Sequence, residues 1–248
     1  MRTRVVWLAV VLLIGFVGLG PGHAQEIENL LANGGFEEGV MTPWTTYGGA
    51  TTEVVQELVG ATVPEDPIEG DYCLHIVVPS AGANYWDFGL KHAGHLFEAG
   101  KKYTLSAFLK CNEGTLQISF KPELDQDPWT GYGSQQFTMT EEWAEYSITT
   151  PVFTEDVSPT DIMFHIGFAP GDFWIDNVRF YEGDYVSPGL PLARDPVPAT
   201  GSIYKETWAS LEWQPGDFAV SHDVYFGESF ADVDAGTGST FQSNQDAT

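Results

Sequence analysis

The sequence predicts an all-β protein built on a β-sandwich. Three observations favour this fold class. Short stretches of alternating apolar and polar residues recur along the chain, clusters of Gly, Pro, Asn and Asp separate them, and helical periodicity is nearly absent. Many short strands at this spacing are typical of two packed antiparallel sheets.

Nine strands are predicted before residue 184. Within them one face is apolar, as in Leu116, Ile118 and Phe120, and the other face is mixed, as in Gln117, Ser119 and Lys121. The apolar faces should form the core, and if the strands are neighbours, the mixed faces should form one surface. The predicted strands are 51–58, 72–78, 85–90, 102–110, 116–121, 135–139, 145–149, 161–168 and 173–182.

The N-terminus has the order of a secretory signal peptide. Arg2 and Arg4 precede an apolar run at residues 5–19, and residues 22–24 (Gly-His-Ala) resemble a cleavage site. The run is short for a membrane span, which needs about 20 residues. We therefore expect cleavage of residues 1–24 and a secreted or cell-surface protein without a later membrane span; the alternative is an uncleaved N-terminal anchor.

The charge of the chain excludes several classes of partner. The sequence has 10 basic and 35 acidic side chains, a formal net charge of −25. Losing Arg2 and Arg4 with the signal peptide leaves 8 basic against 35 acidic side chains, a net charge of −27. Such a surface repels nucleic acid and anionic lipid. It also disfavours a strongly anionic polysaccharide unless calcium bridges the two, whereas a neutral glycan meets no such repulsion.

The chain has a second predicted region after a proline-rich linker. Residues 185–200 contain four prolines, which stiffen a linker and cannot join a central strand. Residues 201–248 contain two strand-like pieces, 210–213 and 223–226, which is few for an independent sandwich. We expect residues 25–184 to form the main domain and residues 201–248 to form part of another.

Two cysteines, Cys73 and Cys111, are present. Each lies in or at the end of a predicted strand. Outside the cell they could form a disulfide across the sandwich, or they could be two buried free thiols.

Three ordered stretches carry a family resemblance: Leu30-Leu31-Ala32-Asn33-Gly34-Gly35-Phe36-Glu37, residues 96–106 (LFEAGKKYTLS) and residues 173–180 (FWIDNVRF). In this order and spacing they resemble the carbohydrate-binding modules of the family 4, 9, 16 and 22 group. The resemblance covers residues 29–182. It implies a jelly-roll β-sandwich, a structural calcium ion and glycan binding without catalysis.

A second resemblance covers part of the C-terminal region. Residues 196–201 (PVPATG), 211–213 (LEW) and 221–227 (SHDVYFG) are similar to the opening of a fibronectin type III-like domain of large bacterial surface proteins. The later strands of that fold are missing from the match. The resemblance implies a partial fibronectin- or immunoglobulin-like β-sandwich at residues 201–248.

The resemblance to the carbohydrate-binding modules places a calcium ion at Glu37 and Asp176. Calcium prefers hard oxygen ligands, and two carboxylates from opposite ends of a domain can join its termini through one ion. The alternative is a pair of ordinary turn carboxylates.

Aromatic side chains are the first candidates for sugar contacts, because the C–H faces of pyranose rings stack on flat rings. Trp129 and Tyr132 lie in a loop rich in Gly, Pro and Asp, and Trp86 lies in a predicted strand whose face is ambiguous. The alternative for each is packing at the edge of the core. Trp44, Trp143, Trp174 and Trp213 are predicted to pack in cores.

Polar residues on the mixed strand faces are the second candidates. Lys and Gln can donate hydrogen bonds to sugar hydroxyls. The alternative is an ordinary solvated strand face. The candidates are Phe108, Lys110, Gln117, Lys121 and His165.

The sequence contains no common hydrolase motif. Gly-x-Ser-x-Gly, His-Glu-x-x-His and a phosphate-binding glycine loop are all missing. Residues 123–127 (ELDQD) are superficially similar to the catalytic strand of some jelly-roll glucanases, but Pro128 stands where a second Glu would follow. We interpret this stretch as a strand end that runs into the Trp129 loop.

The leading hypothesis is a secreted, monomeric, non-catalytic module that binds a neutral polysaccharide. It would keep an attached glycoside hydrolase or cell surface close to that polysaccharide. A second hypothesis is a structural or adhesion module of a bacterial surface protein that contacts protein instead of glycan. A third is a glycoside hydrolase or lyase with unfamiliar carboxylates.

Overall fold

A computed structural model describes residues 27–58, 67–189, 193–197, 210–216, 219 and 221–246. The predicted signal peptide lies outside the described residues. The chain divides into a compact unit at Glu26–Val186 and a second unit that contains the chain from Ser187 onward. Across the described ranges, no helix is long and apolar enough to cross a membrane.

The first unit is a two-sheet β-sandwich of the jelly-roll type, which confirms the predicted fold class. One sheet, here called sheet A, has the order β1-β4-β9-β6-β7, and the other, sheet B, has the order β2-β3-β10-β5-β8. All pairings are antiparallel. The strands are β1 Thr45–Tyr47, β2 Thr51–Val55, β3 Cys73–Val78, β4 Gly89–Phe97, β5 Tyr103–Cys111, β6 Leu116–Leu124, β7 Gln135–Met139, β8 Ala144–Thr149, β9 Val157–His165 and β10 Gly171–Glu182.

The core lies between the two sheets. Alternate residues of each strand point inward, as the period of two in the sequence predicts. The rings of Phe120 and Phe164 of sheet A meet edge-on with their centroids 4.7 Å apart. The ring centroids of Phe97 of sheet A and Phe180 of sheet B are 5.6 Å apart. All four side chains are fully buried.

The two ends of the domain are joined by hydrogen bonds between the first and third resemblance motifs. Gly34 accepts a hydrogen bond from the Val178 amide at 2.9 Å, and Asn29 accepts one from the Phe180 amide at 3.0 Å. A Cβ atom at Gly34 would lie 2.1 Å from the Val178 carbonyl oxygen, so only glycine fits this close approach. Trp44 packs beside them with 1% of its surface exposed, as predicted.

Several boundaries differ from the prediction. Residues 85–90 do not form one strand, because Tyr85–Asp87 is a 3-10 turn and β4 begins at Gly89. Strand β1, which is only three residues long, was not predicted, and β4 and β6 each continue beyond their predicted ends. Strand β6 ends at Leu124 and leads into the Trp129 loop.

The structure contradicts a disulfide between Cys73 and Cys111. Both cysteines are fully buried free thiols. Cys73 packs with Val55 and Trp174 on the outer face of sheet B, whereas Cys111 belongs to the core between the sheets. Strand β10 lies between their two strands, so their side chains are separated both by a strand and by the sheet itself.

The last residues of this unit pack on part of the outer face of sheet B. The Arg179 guanidinium donates to Glu145 at 2.8 Å and to the Val186 carbonyl oxygen at 3.1 Å. The Val186 amide donates to the Tyr181 hydroxyl oxygen at 2.9 Å. The part of this face around Arg179 and Tyr181 is therefore covered by the protein's own chain.

The described part of the second unit contains two two-stranded antiparallel sheets and one short helix. Strand β11 (Arg194–Val197) pairs with β12 (Glu212–Gln214), and β13 (Ser221–Tyr225) pairs with β14 (Phe241–Asp246). The helix α1, Phe230–Asp234, was not predicted. The resemblance of this region to a fibronectin type III-like domain stays a prediction.

Candidate functional site

A cleft of about 730 Å³ lies on the outer face of sheet A. Its floor follows the register of the sheet, in which Lys91 of β4 and Lys121 of β6 both pair with Met163 of β9. Thr45 of β1 pairs with Lys91 and extends the same row. The cleft is lined by Thr45, Thr46, Tyr47, Tyr85, Trp86, Lys91, Lys121, Glu123, Asp125, Pro128, Trp129, Met163 and His165.

Trp86 forms one wall of this cleft. It lies in the 3-10 turn immediately before β4, with 49% of its surface exposed. The Tyr85 ring meets the Trp86 ring edge-on and stacks on the Phe168 ring, with a distance of 4.8 Å between the ring centroids in each pair. The Tyr47 hydroxyl donates a hydrogen bond to the Trp86 carbonyl oxygen at 3.0 Å. These contacts fix the indole ring without covering it.

Two glycines allow the backbone to pack closely around this turn. Gly48 has a φ of 85°, and a Cβ atom there would lie 2.2 Å from the Asp87 carbonyl oxygen. Gly167 donates a hydrogen bond to the Tyr85 carbonyl oxygen at 2.9 Å, and a Cβ atom there would approach the same oxygen to 2.9 Å. The turn that carries Trp86 is therefore preorganised by the loops beside it.

Trp129 lies at the opposite end of the strands. Strands β4 and β6 both run antiparallel to β9, so they run in the same direction. Trp86 precedes the first residue of β4 and Trp129 follows the last residue of β6, which places them at opposite ends of the floor. Trp129 is 51% exposed, and its amide donates to the Gln126 carbonyl oxygen at 2.6 Å. The two tryptophans thus flank one floor.

Five charged side chains, here called the floor cluster, lie between the tryptophans. Lys91 Nζ lies 3.1 Å from Asp125 Oδ1 and 3.2 Å from Asp161 Oδ2, and Lys121 forms an ion pair with Glu123. The side chains of Lys91, Asp125 and Lys121 are 28%, 24% and 20% exposed. The Asp161 side chain has no exposed surface and lies beneath the floor.

The environment fixes the protonation of the uncharged polar groups in the cleft. Burial, and then the positive charge of Lys121, lower the pKa of His165 to about 4, so its imidazole is neutral at pH 7. Burial, and then the nearby carboxylates of Glu123 and Asp161, raise the pKa of Tyr47 to about 12. Tyr47 therefore keeps the proton that it donates to the Trp86 carbonyl.

The structure brings together four of the predicted glycan-contacting residues: Trp86, Trp129, Lys121 and His165 all line the cleft. Gln117 lies farther along the same face of β6, since it alternates in step with Lys121, and it does not line the cleft.

Tyr132 lies outside the cleft and covers the edge of the core. Its ring packs edge-on against the rings of Phe97 and Phe153, with centroid distances of 5.9 and 5.0 Å. This position favours the alternative of packing at the core edge over a sugar platform, because the loop turns back over the sandwich: the Tyr132 amide donates to the Pro122 carbonyl oxygen at 2.8 Å.

Phe108 and Lys110 do not belong to this surface. Both lie in β5, which is part of sheet B, and point to its outer face with 6% and 8% of their surfaces exposed. The Lys110 ammonium donates to the Glu141 carbonyl oxygen. The mixed faces of β5 and β6 therefore lie on opposite sides of the sandwich.

Several lining residues were missed by sequence reasoning. Glu123 continues the alternation of Gln117, Ser119 and Lys121, so a longer predicted strand would have included it. Lys91 was missed because the predicted strand ended at residue 90. Tyr47 carried no signal, because its strand has only three residues.

The predicted calcium ligands lie at a separate acidic loop region. Asp176 is fully buried and accepts hydrogen bonds from the amides of Ile68 and Glu69 at 3.0 and 3.2 Å. Glu37 accepts hydrogen bonds from the amides of Asp71 and Tyr72 at 2.9 and 3.1 Å. Both carboxylates thus hold the segment that precedes β3.

The electrostatics of this region suit a hard cation. Burial raises the pKa of Asp176 to about 8, and the negative charges of Glu69 and Glu37 add to the effect. Carboxylates crowded in this way are ligands that calcium prefers. Within the described part of the chain, however, no group of three or more His, Cys, Asp or Glu side chains is arranged around a metal position. Any ion here would need backbone or water oxygens as well.

The chain belongs to a family of carbohydrate-binding domains. Residues 28–171, more than half of the chain, match the family described as "Carbohydrate binding domain", which groups modules of types 4 and 9. This membership supports glycan binding by the first unit. No curated protein matches the sequence.

Solved structures of carbohydrate-binding modules are similar to this chain. A CBM4 module is 20% identical, with 61% of this chain and 99% of that chain covered and a TM-score of 0.46. The CBM22-1 xylan-binding domain of Xyn10C from Paenibacillus barcinonensis is 16% identical, covering 66% and 100%, with a TM-score of 0.47. TmCBM61, solved with β-1,4-galactotriose, is 20% identical, covering 63% and 99%, with a TM-score of 0.44.

Proposed function

We propose that the first unit is a non-catalytic module that holds a neutral polysaccharide chain in the cleft of sheet A. One observation carries this proposal: Trp86 and Trp129, each about half exposed, flank a single polar floor. Tryptophan side chains with this much exposed surface are unusual unless they contact a partner. Their apolar faces suit the C–H faces of sugar rings.

The floor supplies the hydrogen bonds that sugar hydroxyls need. Lys91 and Lys121 can donate and Asp125 can accept, whereas Nδ1 of neutral His165, which has no hydrogen-bond partner among the described residues, is buried. A chain crossing the strands would contact Lys91 and Lys121 at points about 10 Å apart, since neighbouring strands are about 4.8 Å apart. The cleft thus matches a polymer rather than a single sugar.

The charge of the cleft favours an uncharged glycan. Both lysines are already paired with carboxylates, and the whole chain carries a net charge of −25. A polyanion would meet repulsion from the chain, and the paired ammonium groups offer little to compensate for it. A neutral chain exchanges hydroxyl–water hydrogen bonds for hydroxyl–protein hydrogen bonds at no such cost.

The same geometry disfavours glycoside hydrolysis. Hydrolases need two carboxyl groups that reach the glycosidic bond. Asp161 has no exposed side-chain surface, and Glu123 is 3% exposed and paired with Lys121. Asp125 alone remains within reach of a ligand. Release of new reducing ends from any bound polysaccharide would contradict the non-catalytic assignment.

Three further features belong to this proposal. Residues 1–24 would direct export of the protein to the cell surface or medium. A calcium ion held by Glu37 and Asp176 would stabilise the loop before β3. As a monomer, the module would keep an attached glycoside hydrolase or surface domain close to its polysaccharide, without contacting nucleic acid or membrane.

The test is binding of the protein to an array of glucans, xylans, mannans and acidic polysaccharides, with and without calcium. We expect retention by one class of neutral chain. Trp86→Ala and Trp129→Ala should each weaken it about fivefold or more, since stacking of an aromatic ring contributes about 1 kcal/mol or more. Val152→Ala is the matched control, because Val152 is 57% exposed and lies outside the cleft.

A blank array from a folded protein would overturn the proposal. It would favour the structural or adhesion alternative, in which this surface contacts protein.

A further inference from the structure

The floor cluster contains one more carboxylate than ammonium groups. Asp125, Asp161 and Glu123 face Lys91 and Lys121 in a single group. Two of the carboxylates are almost completely removed from water, Asp161 with 0% and Glu123 with 3% of the residue exposed. A buried charge without a partner is costly, so this group is one positive charge short of neutrality.

Asp161 is the member of the floor cluster whose negative charge is least compensated. Strand β6 places Glu123 directly opposite it, and Lys91 of β4 approaches only one of its oxygens, Oδ2. Neither of its oxygens has a hydrogen-bond partner among the described residues, and Oδ2 has only the ion-pair contact with Lys91 at 3.2 Å. Asp125 of β6 competes for the same ammonium group. Among the other titratable groups on this face, Tyr47 of β1 is a neutral phenol, His165 of β9 is a neutral imidazole and Lys121 of β6 is paired with Glu123.

One proton would remove the excess charge. Burial, followed by the charges of Glu123 and Asp125, raises the pKa of Asp161 to about 7, while Lys91 opposes the shift. The cluster therefore exchanges this proton close to neutral pH. With the proton bound, Lys91 loses the charge of one of its two carboxylate partners and is held by Asp125 alone.

We propose that Asp161 is a positioning residue for Lys91, and that protonation of Asp161 strengthens glycan binding in the cleft. This inference rests on the proposed function of the cleft. A bound chain covers the floor and excludes water, which increases the cost of the unbalanced charge. Binding therefore favours the protonated cluster, and by linkage the affinity must fall when pH rises and the proton is lost.

The test measures the affinity of the whole protein for the polysaccharide identified on the array, between about pH 5.5 and about pH 8.5. We expect the affinity to fall about fivefold to tenfold across this interval in the wild-type protein, because one proton changes it by at most tenfold per pH unit. Asp161→Asn removes the titrating group and should give an affinity independent of pH. Calorimetry in buffers of different ionisation enthalpy should show uptake of about 0.3–0.4 of a proton at pH 7 by the wild type and almost none by the variant.

A second variant covers the case in which Asp161→Asn does not fold. Lys91→Met removes the opposing positive charge, so the midpoint of the pH dependence should move upward by about one unit. Glu145→Gln, which lies on the outer face of sheet B, is the control and should leave the midpoint unchanged. The inference is overturned if the affinity of the wild-type protein does not change with pH, or if the Asp161→Asn variant keeps the same pH dependence.

Failure of the proposed function would look different. A protein that binds no glycan at any pH overturns the function, and the proton is then followed without ligand through the carbonyl carbon resonance of the Asp161 carboxyl group. A titration midpoint close to pH 7 supports protonation of Asp161 in the floor cluster. A midpoint below about pH 5, near that of an ordinary carboxyl group, overturns it.

Discussion

The hydroxyl group of Tyr47 donates a hydrogen bond to the carbonyl oxygen of Trp86, joining the edge strand β1 to the turn that carries one wall of the cleft. The Tyr47 ring also packs over Gly89, where a Cβ atom would lie 2.5 Å from the ring. Tyr47 thus both lines the cleft and holds the turn that carries Trp86.

Tyr47→Phe should therefore weaken glycan binding without unfolding the protein. A hydrogen bond of this kind contributes about 1 kcal/mol, so we expect an affinity about fivefold lower in calorimetric titration. Tyr146→Phe is the matched control, because the Tyr146 hydroxyl donates to the Thr138 carbonyl oxygen at the same distance of 3.0 Å, outside the cleft. Equal losses of affinity in the two variants would contradict a role for Tyr47 in positioning Trp86.

Tyr132→Ala should affect stability instead of binding. Its ring packs against Phe97 and Phe153, and removing a large side chain from such a contact costs about 2–4 kcal/mol. Chemical denaturation should show this loss, whereas Tyr132→Phe should stay close to the wild type. Folded Tyr132→Ala protein should keep its affinity for glycan, and a selective loss of affinity would restore Tyr132 as a sugar contact.

Chelation of calcium should lower the melting temperature of the first unit. A ligand present at a hundred times its dissociation constant stabilises the folded state by about 2.7 kcal/mol, and EDTA would remove that contribution. Addition of calcium in excess should restore the melting temperature. Glu37→Gln should melt lower and respond less to EDTA, and a wild-type melting curve identical with and without EDTA would rule out the proposed ion.

Acidification should destabilise the sandwich through the His92–His95 pair. The two rings share a hydrogen bond of 2.8 Å between His92 Nδ1 and His95 Nε2. Burial, and then the charge of His92, lower the pKa of His95 to about 4, and burial also lowers the pKa of His92. Because the folded state favours the neutral rings, their contribution is complete above the unfolded pKa of about 6.5 and is lost as pH falls toward 4.

The measurement is the free energy of unfolding at pH 7, 5 and 4 for the wild type and His95→Gln. The difference between the two proteins isolates the pair from the other titrating groups, and we expect it to shrink by about 1–3 kcal/mol between pH 7 and pH 4. A difference that stays constant over this range would show that the pair does not titrate in this way.

The sequence was sufficient to predict the core and part of the cleft, because alternation along one strand is a local signal. It assigned Lys121 and His165 to outward faces, and the structure places both in the cleft. Alternation does not say which sheet a strand joins. Phe108 shows the same pattern as Lys121, yet β5 pairs with β8 and β10 in the other sheet.

Contacts that depend on distant segments had no local signal. Tyr132 looked exposed because its loop is rich in Gly and Pro, but only the folded loop shows that the ring turns onto Phe97. Asp161 gave no sign of its burial, because its environment comes from Lys91 and Glu123 on two other strands. The electrostatic character of the floor therefore emerges only when three strands are side by side.

The hydrogen bonds of Val186 with Arg179 and Tyr181 have a practical consequence for handling the protein. They fix the last residues of the first unit against the outer face of sheet B, whereas the cleft opens on the outer face of sheet A. A domain immobilised on a sensor chip or resin through its C-terminal end would present the two tryptophans of the cleft, Trp86 and Trp129, away from the support. The outer face of sheet B is therefore the better side for attaching the domain to a support, because it leaves the outer face of sheet A open to ligand.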